Sequence, residues 1–149
     1  MIEIVIAVLI VGILSAIAIP SYQKYLQTNK ETTAISEINA IARRLNEYRM
    51  EFPLPTDLST VNFGNVLPLI DPWGNPYRYF PIFGHLGDHS YMNGARKDHN
   101  LHPINSDFDL YSMGPDGMSQ ISLQSAQSRD DIVRANDGAF VGKASTYDP

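Results

Sequence analysis

The sequence contains no cysteine. Disulfide bonds, thiolate catalysis and cysteine-based zinc sites are therefore excluded, and the redox compartment cannot be inferred from cysteine usage. Basic residues are also few, because 11 lysines and arginines stand against 16 aspartates and glutamates, a formal charge of −5. These basic residues form no cluster that could follow a phosphate backbone, so we expect no nucleic-acid partner.

The sequence also lacks a recognisable catalytic motif, and we expect the protein not to be an enzyme. Its four histidines share one polar segment, at His85, His89, His99 and His102. They lack helical spacing and the nearby carboxylate pattern of a catalytic zinc site, so we interpret the segment as a solvated loop.

A long apolar run opens the chain. Ile4 to Ile19 are sixteen uncharged, mostly aliphatic positions, and Glu3 precedes them. A cleaved secretory signal would need a basic start and a small-residue cleavage site, and both are missing here. A buried core helix would be about 24 Å long, but this run is apolar on every face and the rest of the chain is too small to surround it.

We therefore favour a membrane-embedded helix that can also pack against copies of itself. Four of its residues are small enough to allow close helix–helix approach: Gly12, Ser15, Ala16 and Ala18. In either setting the carboxylate of Glu3 needs a positive partner, because an isolated charge is costly in an apolar medium.

The helix is expected to resume beyond Pro20, which removes one backbone hydrogen bond and favours a kink. Apolar side chains recur at three- and four-residue steps, the pattern of one amphipathic helix face: Tyr22, Tyr25, Leu26, Ile35, Ile38, Ile41, Ala42, Leu45 and Tyr48. Pro53 and Pro55 predict its end near Glu51. We divide the chain into an apolar helix half (1–20), an amphipathic helix half (21–52) and a small β-sheet head (53–149).

Three short strands are predicted in the head. Alternating apolar residues predict strands near Tyr77–Phe80 and at Phe108–Met113, and Ala139–Val141 reads as a terminal strand. The run from Asp71 to Tyr77 contains proline, glycine and asparagine in the order of a tight turn. Trp73, beside this turn, is expected to pack against the helix.

The loop from 113 to 131 holds three acidic residues, Asp116 within Gly-Pro-Asp-Gly and the adjacent Asp130 and Asp131. Carboxylates combined with backbone carbonyls suit a hard cation such as Ca²⁺, and the EF-hand spacing is absent. The alternative is that Asp116 lies in a common turn and the paired acids face solvent.

Several of these segments together resemble a known family. MIEIVIAVLIVGILSAIAIPSYQKY resembles the N-terminus of type IV pilins and of type II secretion pseudopilins. Three downstream segments are similar to the major pseudopilin of type II secretion systems: DPWGNPYRY (71–79), DFDLYSMGPDG (107–117) and DDIVRANDG (130–138).

The resemblance implies an α+β, type IV pilin-like fold in which a long N-terminal helix packs on a small antiparallel sheet. It implies a single-pass inner-membrane subunit that assembles with copies of itself into a helical, periplasmic filament. Glu3 would neutralise the N-terminal amine of a neighbouring subunit, with Gly12 and Pro20 as further assembly residues; the alternative is a solvated Glu3 at the membrane surface. The implied partners are membrane lipid before assembly, minor pseudopilins, an inner-membrane assembly platform, and a prepilin peptidase that acts on the precursor.

The same resemblance implies a calcium site in the loop 113–131. The implied side-chain ligands are Asp116, Asp130 and Asp131, and the implied backbone ligands are the oxygens of Met113, Met118 and Ser128. Bound Ca²⁺ would order about fifteen residues that have little other reason to be ordered.

Two departures from the family pattern keep alternatives open. Family members carry a basic leader that is cut ahead of a methylated phenylalanine; this sequence begins at Met1, so we expect that end to be missing from it or not to be formed. The segment 83–105 is longer and more polar than in secretion-system members. The leading hypothesis is a major pseudopilin that helps export folded proteins, and the alternatives are a surface type IV pilus subunit (adhesion, motility or DNA uptake) or a membrane-tethered periplasmic binding domain.

Overall fold

The computed structural model describes residues 2–61 and 69–148. The expectation about the leader concerns Met1, which lies outside the described residues. The chain divides into one compact unit that ends at Lys30 and a second that begins at Glu31. Helix α1 runs from Ile2 to Arg49 with Pro20 inside it. Its end lies two residues before the predicted one, and turns follow up to Phe52.

The first unit is helical, and its residues Ile2 to Ile19 are mostly apolar. An 18-residue window near its start is long and apolar enough to cross a membrane, and none of that window is buried. The large aliphatic side chains from Ile2 to Ile19 are between 50% and 74% exposed. Within this unit, the apolar surface predicted from the sequence therefore has no covering layer.

The described residues of the second unit form one antiparallel sheet of four strands in the order β1–β2–β3–β4. The strands are β1 (Arg78–Pro81), β2 (Phe108–Ser112), β3 (Ile132–Ala135) and β4 (Phe140–Lys143). Tyr79 lies opposite Leu110, Tyr111 opposite Val133, and Arg134 opposite Val141. The predicted first, second and terminal strands are confirmed, whereas β3 was not predicted.

The sheet packs its two faces against different side chains, because successive residues of a strand point to opposite sides. One face carries Phe108, Leu110 and Ile132, and these pack with the buried face of α1. The helix contributes Ala34, Ile38, Ile41, Ala42 and Leu45 to this cluster, and Trp73 and Tyr48 pack at its edge. The predicted amphipathic helix face and the predicted packing of Trp73 are thus confirmed for residues after Glu31.

The opposite face of the sheet has a smaller core of its own. Val133 and Ala135 of β3 pack there with Ile104, Leu123 and Tyr147, which come from the surrounding loops. A third cluster, Ile82, Met92 and Ala95, lies within the segment that follows β1. That segment contains a single helical turn, α2 (His89–Met92), capped by the side chain of Asp88. The segment 83–105 is therefore a packed part of the second unit and not only a solvated loop.

Candidate functional site

The predicted assembly residues Glu3, Gly12 and Pro20 lie in the exposed first part of α1. Glu3 is in the first turn of α1 and is exposed, so its carboxylate sits where the partial positive charge of the helix N-terminus favours it. A methyl group added at Gly12 would meet no atom within 4 Å. This part of α1 can therefore present a carboxylate and a close-packing surface to another molecule. The pairing of Glu3 with a neighbour's amine stays a prediction.

The loop 113–131 brings its two ends together. A Cβ atom placed on Gly114 would lie 2.6 Å from the backbone oxygen of Asp130 and 3.3 Å from its carboxylate. Gly114 also has a φ of +66°, a conformation in which glycine is free of Cβ strain. Asp130 thus lies against the start of the loop, as a metal site with ligands from both ends of the loop would require.

Asp116 is directed elsewhere. Its side chain is exposed, and its Oδ1 accepts a hydrogen bond from the backbone N–H of Met118 at 2.8 Å. This contact closes a local turn from Asp116 to Met118. Among residues 2–61 and 69–148, no three His, Cys, Asp or Glu side chains come together in a group that could hold a metal.

Asp131 is fully buried and makes an ion pair. Its Oδ2 lies 2.7 Å from Nη2 of Arg96 and also accepts a hydrogen bond from the hydroxyl of Ser119. Burial raises the pKa of Asp131 to about 6, and the neighbouring Arg96 guanidinium opposes that rise. The most buried of the three predicted carboxylate ligands therefore has a guanidinium as its cationic partner.

The three residues expected to give backbone ligands lie in different surroundings. Met113 is half-buried, Met118 is exposed and Ser128 is buried. The hydroxyl of Ser128 accepts from the backbone N–H of Gln120 and donates to the backbone oxygen of the same residue. These two contacts join Ser128 to Gln120 across the loop, and the calcium site stays a prediction.

A second buried charge network joins β2 to β3. Arg134 forms a bidentate pair with Asp107, at 2.8 Å from Nη1 to Oδ1 and 2.7 Å from Nη2 to Oδ2. Asp109, also buried, accepts from the backbone N–H of Arg96 at 2.6 Å and from the side-chain amide of Asn105 at 2.9 Å. Burial raises the pKa of Asp109 to about 6. This network links the segment before β2 to the strands beside it.

Sequence reasoning missed Arg96, Ser119, Asp109 and Arg134. Charged residues in a polar sequence are expected at the surface, since an arginine is rarely buried unless it is paired. No signal in the sequence singles out Arg96, because its partner Asp131 is 35 residues away. Arg134 lies two residues from Ile132 within a strand that was itself not predicted.

The histidines are not gathered into a site. His85 stacks on Tyr91 with ring centroids 3.8 Å apart, and Nδ1 of His99 lies 2.8 Å from Oδ2 of Asp98. All four histidine side chains are exposed.

Sequence comparison finds a relative that covers most of the chain. The type II secretion system core protein G of Pseudomonas aeruginosa is 30% identical over an alignment of 137 positions, which covers 78% of this chain and 82% of that protein. The chain belongs to the major pseudopilin family. The predicted α+β, type IV pilin-like fold of this family agrees with the long apolar helix and small antiparallel sheet described above.

Two fimbrial proteins of Pseudomonas aeruginosa are more similar to this pseudopilin over a shorter stretch. Each is 51% identical over 41 residues, 28% of this chain and 27% of the fimbrial protein. The names of all three relatives denote a secretion-system component or a fimbrial protein and no enzyme. No protein-family model matches the chain, and no solved structure is significantly similar to it.

Proposed function

We propose that the protein is a structural subunit of a pilus-like filament, the major pseudopilin of a type II secretion system that helps to export folded proteins across the outer membrane. The observation that carries this function is the exposed apolar half of α1 with Glu3 at its start, in a chain that covers 82% of a secretion-system core protein. The subunit performs no catalytic step; its role is to assemble.

The physical chemistry of α1 supports two successive environments. An apolar segment of this length is stable in lipid before assembly, and in a filament the same surface is covered by identical helices. Glu3 makes the second state specific, because a carboxylate in such a core is costly until a positive group neutralises it. The N-terminal amine of a neighbouring subunit supplies that group.

The proposed cellular context follows from the family. The subunit resides in the inner membrane as a single-pass protein, is processed by a prepilin peptidase, and enters a periplasmic filament together with minor pseudopilins at an inner-membrane platform. The predicted calcium ligands carry no step in this proposal.

A surface type IV pilus is the second candidate function, and the 51% identity to fimbrial proteins over 41 residues favours it. The two functions separate in a deletion strain. Loss of protein secretion with normal twitching motility supports the secretion role, and the opposite result supports the pilus.

The assembly role is tested by Glu3→Gln, which removes the charge and keeps the size of the side chain. We expect the variant to insert into the membrane at wild-type levels and to form no filaments in electron micrographs. Glu51→Gln, an exposed acid beyond the end of α1, is the control and should assemble normally. Filaments of normal number and length from Glu3→Gln would refute the pairing, and dispersed wild-type monomers would refute the filament function.

A further inference from the structure

The loop 113–131 already has a cation, and it comes from the chain itself. Arg96 lies in the segment between β1 and β2, is 2% exposed, and reaches the loop at two points. Its Nη2 lies 2.7 Å from Oδ2 of Asp131, and its Nη1 donates to the hydroxyl of Ser119 at 2.6 Å. One guanidinium therefore joins the middle of the loop to its end.

We propose that the Arg96 guanidinium supplies the positive charge that the family resemblance attributes to calcium, so that the loop 113–131 is ordered without a bound metal. This inference concerns the internal order of the second unit and goes beyond the filament function. It disagrees with the calcium site expected from the sequence.

Among the described residues, the ion pair leaves one hydrogen-bond donor and one acceptor without a partner. Within the described part of the chain, Oδ1 of Asp131 and Nε of Arg96 are buried and have no hydrogen-bond partner. These two atoms belong to the two side chains that are already joined at 2.7 Å. Arginine and carboxylate commonly pair through two parallel hydrogen bonds, and Nε and Oδ1 are the donor and the acceptor that a second bond of this pair would join.

Asp116, another expected ligand, is engaged within its own turn. Ca²⁺ takes six to eight oxygen ligands, and Oδ1 of Asp116 is occupied by the backbone N–H of Met118. A divalent cation on the remaining oxygen of Asp131 would also lie beside the Arg96 guanidinium, and like charges at such a short distance repel.

The position of Arg96 is fixed independently of the loop. Its backbone N–H donates to Oδ2 of Asp109 at 2.6 Å, and its guanidinium lies 4.0 Å from the ring centroid of Tyr111 on β2. The face of the Tyr111 ring stabilises the guanidinium independently of Asp131. The segment 83–105, longer than expected for the family, thus carries the residue that takes the place of the ion.

Thermal unfolding of the 149-residue chain in detergent tests the proposal. The fluorescence of Trp73, which packs against the helix–sheet cluster, reports unfolding of the second unit. We expect the wild-type melting temperature to be the same in millimolar calcium and in EGTA. Arg96→Gln should lower it by roughly 10 °C, because it leaves a buried carboxylate unpaired. Arg129→Gln, an exposed arginine of the same loop, is the matched control and should stay within about 1 °C of the wild type.

Two further measurements keep the test decisive. Arg96→Gln combined with Asp131→Asn should be more stable than Arg96→Gln alone, because both buried charges are then removed. Trypsin should cleave after Arg129 faster in Arg96→Gln than in the wild type, and EGTA should not change the wild-type rate.

A wild-type melting temperature or cleavage rate that depends on calcium overturns the proposal, and this comparison stands even if Arg96→Gln fails to fold. The proposal is also overturned if the Arg96→Gln variant is no less stable than the Arg129→Gln variant.

Discussion

The buried pair between Asp107 and Arg134 offers a quantitative test of what holds the sheet together. The two side chains are 7% and 1% exposed and are joined by two hydrogen bonds of 2.7 and 2.8 Å. Arg134 also donates to the backbone oxygen of Phe108 at 3.1 Å and lies 4.2 Å from the centroid of its ring. Asp107→Asn keeps the shape of this arrangement and removes one charge.

The expected cost follows from burial. Removing one partner of a buried ion pair leaves the other charge without compensation, a loss of about 3–5 kcal/mol in the free energy of unfolding. The pair between Arg44 and Glu47 provides the comparison, since its atoms are 3.0 Å apart and its side chains are 57% and 54% exposed. Solvent screens that pair, so Glu47→Gln should lower the free energy of unfolding by about 0.5 kcal/mol or less.

Urea unfolding of the 149-residue chain, followed by Trp73 fluorescence, measures both changes. With a typical dependence of unfolding free energy on urea, Asp107→Asn should lower the midpoint by roughly 1 M or more, and Glu47→Gln should leave it nearly unchanged. The slope of the transition should stay the same in each variant. Equal midpoint shifts for the two variants would refute the argument that burial, and not distance, decides the strength of these pairs.

Two further predictions concern the head. Gly114→Ala should destabilise the protein more than Gly87→Ala in the same urea experiment. Both glycines have a positive φ, but a Cβ added at Gly114 would lie 2.6 Å from the backbone oxygen of Asp130, whereas a Cβ added at Gly87 would meet open space. Equal losses of stability in the two variants would contradict the close approach at Gly114. Asp109 should make stability pH-dependent, because burial raises its folded-state pKa to about 6 from the usual value near 4. The native state then binds the proton more tightly than the unfolded state, so the stabilisation by protonated Asp109 is complete below about pH 4 and is lost as the pH rises to about 6. Asp109→Asn should therefore gain stability relative to the wild type across that window, and parallel profiles of the two proteins would contradict it.

Local patterns predicted most of the fold. The apolar repeat of α1 and the alternation in β2 identify the side chains that pack between helix and sheet, because such a face requires apolar side chains at the period of the element. Strand β3 gave no such signal, since Ile132, Val133, Arg134 and Ala135 are all buried and do not alternate. Arg134 within that strand also reads as a surface residue until its partner Asp107 is known.

The sequence alone determined the exposed apolar segment with Glu3 at its start and the family to which the chain belongs. Both are properties of contiguous residues, where chemistry and spacing are visible in the chain itself. Tertiary structure alone decided the partner of Asp131. Arg96 is 35 positions away from it. Pairing at that separation depends on how the strands bring the two segments together, and the resulting burial makes the guanidinium a strong partner for the carboxylate.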